Sequence, residues 1–217
     1  MQEKLQDSPK YRLWEKNLRK NGLDIQEIEE IYTRHHSGRA LFGLVLLRAT
    51  TPEGDKIPPI CFIKGTVVSI LICLIDEETQ EKYLLLVKQR RVCTGGYIYE
   101  QPAGLVDGED HPDDVAVRET EEETGLKITK EQINQLNEEP WYPSTGTSEE
   151  AMYFYYVELE MSKEKIFSFD QQQQGLISEH ERIITEVVPI DKAKKIITNT
   201  NGLLNIYLYE EAVRDRA

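Results

Sequence analysis

Two apolar runs in the first half of the chain constrain its fold more than any other feature. The run VVSILICLID at 67–76 is continuous and rich in β-branched residues, which is typical of a strand buried on both faces. The run KYLLLVKQRRV at 82–92 follows after a short acidic turn and is predicted to be its hairpin partner. These two runs predict a sheet with a packed core.

One later segment has unusually clear signals for the start and the end of a helix. Residues 112–124 are predicted to be a helix because Pro112 suits the first helical position and Gly125 suits the C-terminal cap. Asp113 and Asp114 would lie at the positive end of the helix dipole, where carboxylates are favourable.

The remaining segments place further helices and strands around these elements. Apolar residues at helical spacing predict helices over 8–34, interrupted at 20–22. Strands are predicted at 39–50, 97–104, 151–160 and 182–190, a loop tip at 171–174, and one or two helices at 191–215. The order helix, strands, helix, strands, helix indicates a mixed α/β fold.

Charge and cysteine content narrow the possible partners and compartment. A net charge of −13 argues against a nucleic-acid partner, and an acidic protein that handles an anionic substrate needs cations. No apolar stretch has membrane-spanning length, and the N-terminus lacks a signal-peptide core. Cys61, Cys73 and Cys93 lack metal-ligand or disulfide spacing, which predicts buried free thiols in a reducing compartment. We therefore expect a cytoplasmic protein that binds neither nucleic acid nor a membrane.

The octet RETEEETG, which begins at Arg118, concentrates carboxylates on the predicted helix. Glu119, Glu122 and Glu123 lie close to one helical face, whereas Glu121 points elsewhere. Arg118 precedes Glu122 by four residues and can hold it by a charge-assisted hydrogen bond. Converging carboxylates need a positive charge, and oxygen ligands suit Mg²⁺ or Mn²⁺ rather than zinc. The alternative is a solvated acidic face.

The octet ends a longer pattern, GLVDGEDHPDDVAVRETEEETGL, that resembles the Nudix box, the signature of Nudix hydrolases. The matching positions are Gly104, Arg118, Glu119, Glu122, Glu123, Gly125 and Leu126. There are two departures, since Asp110 replaces the first glutamate of the pattern and Thr120 replaces an aliphatic residue. The resemblance implies the Nudix fold, a mixed β-sheet sandwiched between helices, with a small N-terminal β-rich and helical extension.

The resemblance extends to segments that precede the box. YEQPAG at 99–104 resembles the E-x-P-A-G motif of ADP-ribose and sugar-nucleotide pyrophosphatases. That likeness implies that the carbonyl of Ala103 is a metal ligand and that Glu100 lies close to the substrate. KQRRV at 88–92 resembles the Q-x-R-V strand of the same enzymes, which makes Arg91 a candidate ligand for the diphosphate or the terminal sugar.

Two segments after the box also resemble parts of these enzymes. WYPSTGTSEEA at 141–151 is similar to their proline- and glycine-containing substrate loop, with Tyr142 and Glu149 as candidate substrate contacts. SEHERI resembles the late acidic loop that supplies a catalytic glutamate, for which Glu181 is the first candidate and Glu179 the alternative.

The family resemblance implies a metal-dependent diphosphatase. Its substrate would be ADP-ribose or a nucleotide-sugar, and the N-terminal stretch looks most like plant-type ADP-sugar/UDP-sugar diphosphatases. Glu119 and Glu123 would bridge Mg²⁺ or Mn²⁺ ions, Glu122 held by Arg118 would complete the shell, and Glu181 would accept a proton from the attacking water. The alternatives are a dinucleoside-polyphosphate hydrolase, which favours a tyrosine at position 142, and a non-catalytic nucleotide-binding protein of the same fold.

The same resemblance implies that two regions of the chain have different roles. Residues 1–65 would form an N-terminal region that makes a homodimer and contributes to each partner's substrate pocket. Residues 66–217 would form the Nudix hydrolase domain.

Overall fold

A computed structural model describes residues 2–106, 108, 111–175 and 182–216. The chain divides into two compact units. The first unit contains Met1–Val67, Leu105–Asp110 and Pro140–Met152, and the second contains Val68–Gly104, His111–Glu139 and Tyr153–Ala217. In the described part of the chain, no helix is both long and apolar enough to cross a membrane.

The first unit consists mainly of one helix and a small antiparallel sheet. Its elements are α1 (Pro9–Lys20), β1 (Asp24–His36), β2 (Arg39–Thr50) and β3 (Ile60–Ile63), and the strand order is β1-β2-β3. Trp14 of α1 is buried with Val45 and Leu47 of β2. Gly43 allows Leu5 to pack directly on β2, because a Cβ atom at this position would overlap the Leu5 side chain.

The prediction of helices over 8–34 is wrong in its second half, which is strand β1. The isoleucines at 25 and 28 share the α1-facing side although a regular strand returns to the same side every second residue. The pairing register with β2 shifts between Ile25 and Glu27, so a β-bulge adds one residue to that step. The resulting three-residue spacing imitates a helical period.

The second unit is built around a larger sheet of eight strands. The strands are β4 (Thr66–Asp76), β5 (Lys82–Arg90), β6 (Tyr97–Glu100), β7 (Ala103–Leu105), β8 (Asn134–Gln135), β9 (Ala151–Met161), β10 (Gln173–Gln174) and β11 (Ile183–Pro189). Their order is β10-β11-β5-β4-β9-β8, while β6 pairs with β5 and β7 pairs with β4. The predicted β4–β5 hairpin is confirmed, since the two strands are antiparallel with Cys73 opposite Leu84.

Helices flank this sheet. They are α2 (Pro112–Thr124), α3 (Lys163–Phe167), α4 (Ile190–Ile196) and α5 (Thr200–Arg214). The strands pack through Leu71, Leu84 and Leu86 against Ile206 and Tyr209 of α5 in a fully buried cluster. Alternate residues of a strand face opposite sides, and the intervening residues of β4 and β5 are buried as well, so burial of both faces explains their continuous apolar sequence. The predicted mixed α/β class is confirmed.

Two smaller predictions are wrong. Cys93 is exposed, because it lies in the turn that follows β5, whereas Cys73 is buried and Cys61 is half-buried. The segment 171–174 is not only a loop tip, since Gln173–Gln174 form strand β10 and pair with β11.

Candidate active site

The helix that carries the glutamates is the element that the sequence predicts best. α2 runs from Pro112 to Thr124, and Gly125 ends it in the left-handed conformation with φ of 70°. The N–H of Gly125 donates to the carbonyl of Glu121 at 2.8 Å. Glycine adopts this conformation at little cost, so the helix stops immediately after its acidic stretch.

The four glutamates of α2 have different environments. Glu123 is buried, with 5% of its surface exposed, and Glu119 and Glu122 are half-buried. Glu121 is exposed and forms an ion pair with Lys127 at 3.1 Å. The helix therefore separates one outward glutamate from three that are withdrawn from solvent, as the helical spacing predicts.

Gly104 and Glu119 are in direct contact. A Cβ atom at Gly104 would overlap the carboxyl group of Glu119, so only glycine leaves space for this side chain. The first glycine of the motif is therefore required by close packing between β7 and α2.

A hydrogen bond joins Glu123 to the segment before Gly104. Glu123 Oε2 accepts from the backbone N–H of Ala103 at 3.1 Å. Two glutamates of α2 thus contact two successive residues, Ala103 and Gly104, and bring the carboxylate face of the helix against the segment whose carbonyl is the predicted metal ligand.

Arg118 and Thr120 occupy the remaining notable positions of α2. Arg118 Nη2 lies 3.3 Å from Glu119 Oε1, the neighbouring residue, and its predicted contact with Glu122 stays a prediction. Thr120 is fully buried and its hydroxyl donates to the carbonyl of Ala116 at 2.8 Å. This intrahelical bond satisfies the polar group that replaces the aliphatic residue of the motif.

Arg91 and Glu100 are brought together by strands β5 and β6. Arg91 Nε donates to Glu100 Oε2 at 2.7 Å. The backbone of Arg91 is also fixed, because its carbonyl accepts from the N–H of Gly95 at 2.8 Å. A guanidinium group has five N–H donors in a rigid fork, so this pairing orients the donors that the contact does not use.

Glu149 and Tyr142 belong to the first unit. Glu149 Oε1 accepts from the backbone N–H groups of Lys64 at 2.7 Å and Gly65 at 2.8 Å. Burial raises the pKa of this carboxyl group, although both backbone hydrogen bonds lower it. This structural contact was not predicted from the sequence, and the roles of Glu149 and the exposed Tyr142 in substrate binding stay predictions.

Three predicted residues lie outside the described residues. They are Asp110 of the motif and the two candidates for the catalytic glutamate, Glu179 and Glu181. Their roles stay predictions.

The chemistry of the donors fits a hard divalent cation. Glu119, Glu122 and Glu123 offer carboxylate oxygens on one helix, and Ala103 offers a carbonyl on a segment bonded to that helix. Within the ranges that the structure describes, no three His, Cys, Asp or Glu side chains are gathered closely enough to hold a metal ion. The helix therefore assembles the right ligand types without drawing them into a closed cluster.

The sequence around this site matches a known protein family. Residues 65–204 match the NUDIX domain. The chain belongs to the Nudix family. This match confirms the predicted family, and it includes both the glutamate helix and the segment at 99–104.

Two known proteins show how far the Nudix likeness extends. Nudix hydrolase 14, chloroplastic, from Arabidopsis thaliana is 35% identical over 171 residues, which cover 75% of this chain and 54% of that protein. The chain thus spans about half the length of that relative. A solved structure, "Crystal structure of ADP compounds hydrolase", has a TM-score of 0.60 and 16% identity, covering 90% of this chain and 96% of the other. Together with the NUDIX match, this second likeness confirms the predicted fold.

Three amide side chains, two of them buried, were not predicted from the sequence. Gln101 and Asn205 are almost fully buried, and Asn199 is the N-cap of α5. An asparagine directly before an apolar helical segment is a recognised start signal, so Asn199 was detectable from sequence. Gln101 had no such signal, because its partner lies about 100 residues away.

Proposed function

We propose that this Nudix protein is a metal-dependent diphosphatase that hydrolyses ADP-ribose or a nucleotide-sugar. The products would be a nucleoside monophosphate and a sugar phosphate. The observation that carries the proposal is the contact of Glu119 and Glu123 with the segment at Ala103 and Gly104. The likeness to a plant Nudix hydrolase supports hydrolysis, and the likeness to a hydrolase of ADP compounds supports a nucleotide-containing substrate.

The chain's own residues would bind the diphosphate and accept the proton of the attacking water. Hydrolysis transfers the oxygen of water to one phosphorus atom and breaks the bond from that phosphorus to the bridging oxygen. Glu181 would accept the proton that the water loses. Arg91, oriented by Glu100, would donate N–H groups to the diphosphate oxygens or to the terminal sugar.

A divalent cation is the proposed cofactor. Glu119, Glu122, Glu123 and the carbonyl of Ala103 would hold Mg²⁺ or Mn²⁺, with Arg118 positioning the carboxylates. When bound, the cation supplies the positive charge that neutralises the phosphoryl oxygens. Such a charge is needed because the protein itself carries a net charge of −13.

We also propose a homodimer formed through the first unit. The sheet face opposite α1 carries apolar side chains in one cross-strand row, in which Tyr32 and Phe62 flank Leu44. Tyr32 and Ile60 are about half exposed in the single chain. A second copy would cover this face and remove the exposed apolar surface from water.

A cytoplasmic location remains a prediction.

A substrate panel tests the proposed activity. The wild-type protein is incubated with ADP-ribose, ADP-glucose, UDP-glucose, GDP-mannose and diadenosine polyphosphates, with Mg²⁺ or with EDTA, and ³¹P NMR identifies the products. We expect Mg²⁺-dependent release of a nucleoside monophosphate from ADP-ribose or one nucleotide-sugar.

The same panel separates the alternatives. Preferred hydrolysis of diadenosine polyphosphates would identify the dinucleoside-polyphosphate hydrolase instead. Saturable nucleotide binding by calorimetry without hydrolysis of any panel member would identify a non-catalytic binder and overturn the proposal.

A further inference from the structure

The segment 99–103 runs from the last two residues of β6 to the first residue of β7 and carries both Glu100 and Ala103. Two of its contacts come from neighbouring elements of the site. The carbonyl of Pro102 accepts from the N–H of Ile70 at 2.9 Å, and the N–H of Ala103 donates to Glu123. These contacts fix one end of the segment, and pairing of Tyr99 and Glu100 with β5 fixes the backbone at the other end.

Asn199 adds a side-chain contact to this end of the segment from the start of α5. Its Oδ1 accepts from the N–H of Gly202 at 2.7 Å, which caps the helix. Its Nδ2 donates to the carbonyl of Tyr99 at 2.9 Å. One side chain therefore caps α5 and ties this helix to the beginning of the segment.

Gln101 makes the second link between the segment and α5. Its Nε2 donates to the carbonyl of Gly202 at 3.0 Å. A Cβ atom at Gly202 would lie 2.8 Å from Asn199 Oδ1, from Gln101 Oε1 and from Ile197 Cγ2. Glycine disfavours a helix, so its presence in the first turn of α5 is explained by the space that these three side chains need.

Asn205 makes a third link one turn later. Its Nδ2 donates to Ser69 Oγ at 3.2 Å, and Ser69 directly precedes Ile70, which holds Pro102. We call the contacts of Asn199, Gly202 and Asn205 with Gln101, Tyr99 and Ser69 the α5 clamp.

The α5 clamp stabilises the folded state less than apolar residues would. Gln101, Ser69 and Asn205 are at most 4% exposed. Gln101 Oε1 and Asn205 Oδ1 receive no hydrogen bond from the described residues. A buried polar atom without a partner destabilises the folded state, so apolar residues of similar shape would give a more stable core.

We infer that the α5 clamp is a positioning device for the reaction. It holds segment 99–103 so that the Ala103 carbonyl faces the metal ion and the Glu100 carboxylate faces the substrate. Gln101 and Asn199 are its positioning residues. This role in the reaction rests on the proposed diphosphatase function, whereas the effect of the clamp on the segment does not.

The substitution Asn199→Asp tests the clamp with little change of shape. Aspartate keeps the acceptor that caps α5 and is as good an N-cap as asparagine. It loses the donor to the Tyr99 carbonyl and places a negative oxygen there. We expect the Mg²⁺ concentration for half-maximal activity to rise about 10-fold to 100-fold, as for loss of a contact that supports a metal ligand. The KM for the nucleotide should change less.

The substitution Gln101→Met separates positioning from stability. Methionine fills a similar volume without polar atoms, so the melting temperature should stay the same or rise while activity falls about 10-fold or more. Ser162→Ala is the control, because it removes the hydroxyl that caps α3 by accepting from the N–H of Lys165. The control should lose stability and keep its Mg²⁺ dependence.

Amide hydrogen exchange of residues 99–105 provides a readout without substrate. We expect faster exchange at Ala103 in Asn199→Asp and Gln101→Met than in wild type or Ser162→Ala. Exchange and Mg²⁺ dependence that match the Ser162→Ala control would overturn the clamp. If the wild-type protein hydrolyses no panel substrate, the proposed function fails, and exchange alone decides the clamp: faster exchange supports it and unchanged exchange overturns it.

Discussion

Glu123 and Ala103 are joined by a hydrogen bond of 3.1 Å between a nearly buried carboxylate and a backbone N–H. The bond places a negative charge of α2 beside the residue whose carbonyl is the proposed metal ligand. A buried carboxylate is costly, and a cation at this position would compensate for it. The relationship therefore links stability and proposed function at one residue.

Glu123→Gln should separate these two properties. The amide oxygen can still accept from Ala103, and a neutral amide costs less to bury than a carboxylate, so the free energy of unfolding should stay equal or rise. Loss of the charge should lower activity about 100-fold or more, since even supporting contacts to a metal ligand contribute 10-fold to 100-fold. Denaturant unfolding and steady-state kinetics measure the two effects. A variant with full activity would show that the Glu123 charge has no role.

Gly104→Ala should displace the carboxyl group of Glu119. The added Cβ overlaps that group, so we expect overpacking that costs about 1–3 kcal/mol of stability, together with a large loss of activity. Gly96→Ala is the control, because its Cβ would meet only Thr94 Oγ1 at 3.5 Å.

The double variant Gly104→Ala with Glu119→Ala tests the cause. Alanine at 119 lacks the Cγ, Cδ and Oε1 atoms that the added Cβ would meet, so it should relieve the overlap and recover part of the melting temperature without recovering activity. A melting temperature of the double variant below that of Gly104→Ala would contradict this explanation.

Glu149 should give the folding stability a distinct pH dependence. Burial raises the pKa of Glu149 in the folded state, so folded protein holds this proton more tightly than unfolded protein. The contribution to the free energy of unfolding is present at low pH and is lost as pH rises from the ordinary glutamate pKa through the raised one. Glu149→Gln removes it and keeps an acceptor for Lys64 and Gly65.

The measurement is urea unfolding of both proteins between about pH 4 and pH 7. The free energy of wild type minus that of Glu149→Gln should decrease as pH rises. The decrease should persist in high salt, because desolvation is not screened. A difference that increases with pH would show that the hydrogen bonds from Lys64 and Gly65 outweigh burial.

The proposed dimer makes a prediction about the sheet of the first unit. Tyr32→Glu places a charge on the exposed apolar row and should convert a dimer into a monomer, because an unpaired charge is costly in an interface. Leu13→Glu is a matched control, since Leu13 is similarly exposed but lies on α1. Multi-angle light scattering at micromolar concentration measures both. A monomeric wild type, or a dimer unaffected by Tyr32→Glu, would contradict this interface.

The parts of the fold that could be predicted are those determined by local sequence. Pro112, the acidic first turn and Gly125 set the limits of α2, and the apolar runs set β4 and β5. Strand β1 was missed because its bulge, which depends on pairing with β2, gives its isoleucines a helical spacing.

Some residues of the candidate site could likewise be predicted from local sequence, whereas others depend on contacts with distant parts of the chain. The glutamates that share one face of α2 follow from helical periodicity alone. The contact of Gln101 with Gly202 joins residues 101 positions apart, and such pairing depends on the whole fold rather than on any local pattern. The environment of Glu149 likewise depends on a backbone turn 85 positions earlier.

The most direct test of the central claim compares Glu122→Gln with Glu121→Gln. Both substitutions remove one charge from α2 and keep the side-chain shape, but Glu122 is half-buried beside the other site glutamates and Glu121 is exposed. Hydrolysis of the preferred panel substrate is followed by ³¹P NMR with saturating Mg²⁺. We predict that Glu122→Gln loses about 100-fold or more in kcat while Glu121→Gln retains wild-type activity. Equal activity of the two variants would contradict the assignment of this helix face as the active site.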